Sequence, residues 1–243
     1  MHKSISRRGL MVSGASVAGL SLFGLPFTAR AQSGAGSRPS VAIRVAREFT
    51  GMDPFHRASS QDGDVAGAIC QFLLVRKPNS TEFELDAAQE FKQASPTTYD
   101  FKLKPGQMFS DGFGEMTAED VKFSFERIAQ DPKDGSKASS YKSDWIHLVS
   151  VDVKGKYEGR IVLAEPRANV VDVAIGDYSG AIVSKKAAQQ RGADFITRPV
   201  GSGPYQIASY DRQKGVQLKR NPSYKGGRRG GFDEINLRVI TDA

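Results

Sequence analysis

Between Thr97 and Ile128 the chain reads "TTYDFKLKPGQMFSDGFGEMTAEDVKFSFERI", and its hydrophobic period changes from 2 to 3.6 within that stretch. Tyr99, Phe101 and Leu103 alternate, which predicts a strand over 97–103 that ends at the Pro105-Gly106 turn. Asp111-Gly112 marks a second turn. Thr117-Ala118-Glu119-Asp120 then has capping-box spacing, with an acid placed to meet the first helical amides. Val121, Phe125 and Ile128 follow at i, i+4 and i+7, and the helix should stop before Asp131-Pro132. The chain is thereby committed to a strand and a helix that share a core.

The remaining segments add more of both kinds. A strand is predicted over 41–49 from Val41, Ile43 and Val45. A long loop follows, then a helix carrying Val65, Ile69, Phe72 and Leu73. Cys70, the single cysteine, falls inside that helix as a small core residue, and no intrachain disulfide can form. A hairpin is expected from 149–155 and 160–166, turning at Lys156–Gly159. A short helix should start at the N-cap Ser184 and end at Gly192. Residues 203–211 and 215–222 read as a second hairpin, and 232–243 alternates again. This mixture is neither doubly wound nor all-β.

The first 31 residues have a basic start, an uncharged apolar run from Gly9 to Ala29, and the small-x-small sequence Ala29-Arg30-Ala31. Ser6-Arg7-Arg8-Gly9-Leu10-Met11 resembles a twin-arginine export signal. The expectation is a signal peptide over 1–31 that engages the twin-arginine export machinery and is cleaved near Ala31. A Gly/Ser linker over 32–40 and a mature periplasmic chain would follow. The formal charge of +7 then misleads, because Lys3, Arg7, Arg8 and Arg30 lie in the signal, leaving +3. That is too little to argue for a nucleic-acid partner. Hydrophobic residues at 39% with 25% charged place the remainder among globular chains.

Familiar catalytic and cofactor motifs are missing from the sequence. The histidines are His2, His56 and His147, and there is no G-x-S-x-G nucleophile turn. No Cys and His spacing makes a zinc set. Gly201-Ser202-Gly203 is followed by Pro204 rather than Lys, so it is not a phosphate loop. "KGGRRGG" (225–231) reads as a basic flexible loop. No catalytic residue, metal or cofactor is expected, and the chain is not expected to be an enzyme.

The block that opens this section resembles a signature of the extracellular solute-binding proteins of family 5, which serve ABC importers of peptides, nickel and related solutes. Tyr99, Phe101, Leu103, Phe109 to Gly112, Thr117 to Val121 and Ser124 to Arg127 match its pattern. "RPVGSGPYQIASYDRQKGVQLKRNPSYKGG" resembles a second family block through Gly201, Gly203, Pro204, Tyr205, Arg220, Asn221, Pro222 and Tyr224. "GMDPF" resembles the early Asp-Pro loop. Lys225 departs from the family's usual Trp, and "ELDAAQEF" (84–91) replaces another family segment. The resemblance implies an α/β fold, the N-terminal lobe of a two-lobed periplasmic-binding-protein fold with mixed sheets, truncated before the second lobe. Residues 41–243 would form that portion. It implies a monomer, a peptide or small-molecule ligand and an ABC transporter permease as partner. It also implies three ligand-facing regions: Ala58, Ser59 and Ser60; the Tyr141 to Trp145 stretch; and Gly201, Ser202, Gly203 and Tyr205. An exported scaffold or enzyme-like derivative, and a fragment that binds nothing, are the other readings.

Overall fold

The strand predicted after Thr97 is the second of a four-stranded antiparallel sheet in the computed structural model, which describes residues 39–56, 59–132, 137–228 and 230–240. The predicted signal peptide and most of the linker lie outside the described residues. In chain order the strands are β1 (Val41–Val45), β2 (Leu74–Arg76), β3 (Phe83–Leu85), β4 (Ala88–Ser95), β5 (Thr98–Leu103), β6 (Leu148–Val153), β7 (Glu158–Leu163), β8 (Tyr205–Asp211), β9 (Gly215–Arg220) and β10 (Glu234–Val239). The α-helices are α1 (Ser60–Ile69), α2 (Ala118–Ala129) and α3 (Lys185–Arg191). One sheet runs β4-β5-β7-β6 and a second runs β1-β10-β9-β8, with β2 and β3 forming a small ribbon. The second sheet is mixed, because β1 pairs parallel to β10 while its other pairs are antiparallel. These elements belong to one compact unit, Ser37–Ala243.

Helix α2 follows its sequence pattern. Asp120 accepts bonds from the Thr117 amide (2.9 Å) and hydroxyl (3.0 Å), closing the cap. Its other oxygen accepts from the Lys185 amide (3.0 Å), so one buried carboxylate serves the starts of α2 and α3. Val121, Phe125 and Ile128 are fully buried. The opposite side of α2 protects a sheet edge. Glu126 accepts the Val151 amide (2.9 Å), Lys122 donates to the Val151 carbonyl (3.0 Å), and the two side chains pair with each other. Together they stand where a further strand would pair with β6.

Three expectations shift. The helix around Cys70 begins earlier, at Ser60, and stops at Ile69, so Phe72 and Leu73 enter the core from non-helical backbone. Its last carbonyl is taken by the Gly203 amide (2.7 Å), and Gln71 bridges to Ile182, which pulls the chain out of the helix. The Cys70 thiol is sealed inside, and burial pushes its pKa up to about 12. The β6–β7 turn occupies residues 154–157, not 156–159. Gly159 lies within β7 opposite Phe101, whose ring covers it; a Cβ there would sit 2.4 Å from the ring. Finally, β4 and the β2–β3 ribbon were not expected, because β4 ("AQEFKQAS") is largely exposed and carries no alternation.

The outer face of the first sheet is a ladder of charges. Arg160 grips Asp100 through Nε (2.6 Å) and Nη2 (2.8 Å), and Lys154 adds a contact at 3.3 Å. The Arg160 hydrogen bond, with help from Lys154, holds the Asp100 pKa down at about 2.

Candidate ligand-binding face

The loop that joins β1 to α1 is fixed by two buried carboxylates. Asp53, 3% exposed in its side chain, meets Arg127 in the last turn of α2 through both terminal guanidinium nitrogens, one at 2.9 Å. The same carboxylate accepts the Phe55 amide at 3.2 Å. The amides of Met52 and Asp53 both donate to the Ile196 carbonyl, and that of His56 donates to the Asp53 carbonyl. Asp62 holds the other end. It accepts from the Thr50 amide (3.1 Å) and hydroxyl (2.9 Å), and from the Ser59 amide (3.1 Å) and hydroxyl (2.8 Å). Ser59 is thus the N-cap of α1, in a capping box with Asp62.

A second loop docks on the first. The Ser139 hydroxyl donates to the Phe55 carbonyl (2.9 Å) and accepts from the Tyr141 amide (3.2 Å). This contact brings the Asp-Pro loop and the Tyr141 stretch side by side. Tyr141 is half-buried against the core and Ser60 is exposed. His56 is partly open, edge-on to Phe55 at 4.6 Å. Burial lowers the His56 pKa, Asp53 opposes that and Arg127 adds to it, so the imidazole is neutral at pH 7 and offers one donor and one acceptor.

The remaining predicted positions lie elsewhere. Ala58 is outside the described residues. Trp145 is 2% exposed, stacks on Phe125 at 4.4 Å, and donates its indole N–H to the Ser179 carbonyl (3.0 Å). Its surface belongs to the core. Gly201, Ser202, Gly203 and Tyr205 are all buried. Gly203 sits against Ile69 at the C-terminal end of α1, whereas Ser59 starts it. A helix of ten residues separates the two by about 15 Å. Tyr205 donates to the Phe232 carbonyl (3.0 Å) and lines a cavity of about 490 Å³ at that far end, with Gly67, Val75 and Arg228. The basic segment 225–231 is not simply a flexible loop. Arg228 donates to the Gly67 carbonyl (2.8 Å) and the Cys70 carbonyl and pairs with Asp86 (3.2 Å), clasping the end of α1. Among the described residues no three His, Cys, Asp or Glu side chains converge as a metal set.

The structure therefore docks the loop that leads to Ser59 on the loop that leads to Tyr141, and places Gly203 at the other end of α1. Sequence reading named Ser59 and Ser60 but not the Asp53–Arg127 pair that fixes the same loop. The Ser59–Asp62 capping box is local and legible. Asp53 and Arg127 lie 74 residues apart, and no sequence pattern joins them.

The family model described as bacterial extracellular solute-binding proteins, family 5 Middle, matches residues 82–243. The glutathione-binding protein GsiB of Salmonella typhimurium is 24% identical over 202 residues, which are 83% of this chain and 38% of that protein. The oligopeptide-binding protein AppA of Bacillus subtilis is 28% identical over 188 residues, 74% of this chain and 33% of AppA. Among solved structures, MoaA of A. tumefaciens R10 with mannopinic acid aligns with a TM-score of 0.75 and 28% identity, covering 85% of this chain and 42% of MoaA. The AppA structure with a nonapeptide aligns with a TM-score of 0.72 and 26% identity, over 84% of this chain and 40% of the other. The chain thus spans less than half the length of these relatives, and the aligned part is consistent with one lobe. The strand β5 and capped helix α2 that lie within the match, the mixed α/β fold and the family model agree: the chain belongs to the bacterial extracellular solute-binding proteins, family 5.

Proposed function

We propose that this chain is the substrate-binding component of an ABC importer and takes peptides or chemically related small solutes. The observation that carries this is the docking of the Ser139–Tyr141 loop on the Asp53–His56 turn, which leaves the polar His56 and the aromatic Tyr141 partly exposed. The names of the matched relatives support the class, since GsiB is a glutathione-binding protein and AppA was solved with a nonapeptide. A permease is the partner in this reading.

Binding by these residues should be weak. A ligand closed between lobes gains contacts from both sides, whereas one face provides part of them against the full cost of association. Titrating the isotope-labelled chain with trialanine, glutathione and a sugar should give millimolar affinity for the peptides, with NMR shifts at His56, Ser60 and Tyr141. Shifts confined to other surfaces, or a preference for the sugar, would refute the peptide reading. An absence of shifts at any concentration would favour a non-binding scaffold.

In the same reading the precursor leaves the cytoplasm by the twin-arginine route, on the strength of Ser6-Arg7-Arg8. Changing both Arg7→Lys and Arg8→Lys should leave the precursor in the cytoplasmic fraction. Normal periplasmic accumulation of that variant would remove the assignment.

A further inference from the structure

Asp53 precedes Pro54, and the residue before a proline is pushed toward extended backbone. The residues that follow form a turn, closed by the His56 amide on the Asp53 carbonyl and by the Phe55 amide on the Asp53 carboxylate. Arg127 ties that turn to α2. Its guanidinium lies among the rings of Phe55, Phe123 and Phe195, at 5.5, 5.1 and 5.7 Å from their centroids. These rings come from three places: the loop itself, α2, and the segment after α3. The two-nitrogen grip on Asp53 fixes direction as well as distance, which a lysine could not do.

A buried ion pair is a poor source of stability, because desolvating both charges offsets most of their attraction. This one is largely shielded, with side chains 18% and 3% exposed, and the Arg127 Nε has no hydrogen-bond partner among the described residues. Its clear product is geometry. The Phe55 amide is bound to the paired carboxylate, and the Phe55 carbonyl receives Ser139, so the pair sets the position of both loops of the candidate face.

We infer that Asp53 and Arg127 are positioning residues for the ligand: shielded from solvent, they hold the Asp53–His56 turn and the Ser139–Tyr141 loop where a peptide can bridge them. This rests on the peptide-binding reading for its ligand, but the positioning claim can be read without one.

The test uses the full chain with Arg127→Met, Arg127→Lys and the double change Asp53→Leu with Arg127→Met. The double variant leaves no charge unpaired and should melt close to the parent, while Arg127→Met alone should melt well below it. A purely structural pair would end there, with the double variant restored in all respects. Asp53→Leu removes the Phe55 amide's own acceptor, so the readout is the His56 amide, whose acceptor is the Asp53 backbone carbonyl. We expect it to exchange with deuterium at least tenfold faster in the double variant than in the parent, while the amides of Tyr99, Phe101 and Ile161 keep parental rates. Arg127→Lys, which keeps the charge but loses the fork, should fall between, and it decides the matter if the double variant does not fold. Trialanine affinity should drop at least tenfold in the double variant. Parental exchange at His56, or acceleration shared equally by the β5 and β7 amides, overturns the inference. Faster loop exchange with parental trialanine affinity also overturns it. If the parent binds no peptide, the peptide reading fails, and exchange alone decides whether the pair holds the loops.

Discussion

Phe125→Ala should lower the stability of the chain by about 3–5 kcal/mol, the range for losing a fully buried aromatic ring. Phe125 is 0% exposed and lies on the inner face of α2. Its ring stacks on Trp145 at 4.4 Å with 27° between planes. Truncation removes the transfer energy of the ring and leaves a cavity whose walls cannot collapse freely. Trp145 is tied to the Ser179 carbonyl, and α2 is pinned to β6 through Lys122 and Glu126. Trp145 is the single tryptophan, so the change reports on itself. Urea melts should show the loss, and native-state fluorescence should shift as the indole loses its stacked neighbour. Phe125→Leu, which refills most of the space, should cost less. A loss below about 1 kcal/mol for Phe125→Ala would mean the ring is not a core element.

The parts of this fold that sequence reading recovered are those decided locally. The Thr117–Asp120 cap and the Val121, Phe125 and Ile128 stripe involve residues within one helix, and both stand as expected. Strand β4 escaped because its side chains hardly choose a side; its extended form is imposed by pairing with β5. Trp145 ends a single 3-10 turn, Lys142–Trp145, and Phe125 claims its ring. Glycines misled twice. Gly159 looks like a turn residue, yet it provides the flat spot under Phe101. Gly201-Ser202-Gly203 looks like a loop that offers backbone to a ligand, yet it offers backbone to α1. In each case the deciding partner lies far along the chain, and single-sequence periodicity carries no record of it.

The glycine reading can be tested at Gly203. A Cβ there would lie 2.5 Å from the Ile69 carbonyl carbon and 2.7 Å from the Cys70 nitrogen. Both are backbone atoms at a helix end, so neither can swing aside as a side chain would. Gly203 also donates to the Ile69 carbonyl (2.7 Å) and accepts from the Asn221 side-chain amide (2.9 Å). Any shift that relieves the clash stretches those bonds. Overpacking of this kind costs about 1–3 kcal/mol, and each weakened hydrogen bond adds about 0.5–1.5 kcal/mol. Gly203→Ala should therefore destabilise the chain by about 3 kcal/mol. Gly155→Ala, in the β6–β7 turn with nothing within 4 Å of its Cβ position, should be close to neutral. Paired denaturant melts and trialanine titrations separate the two roles this motif could have. A packing role predicts lower stability, with residual affinity following the folded fraction. A ligand-contact role predicts parental stability with weakened binding. Parental stability in Gly203→Ala would overturn the clamp and return the Gly201–Tyr205 turn to the candidate face.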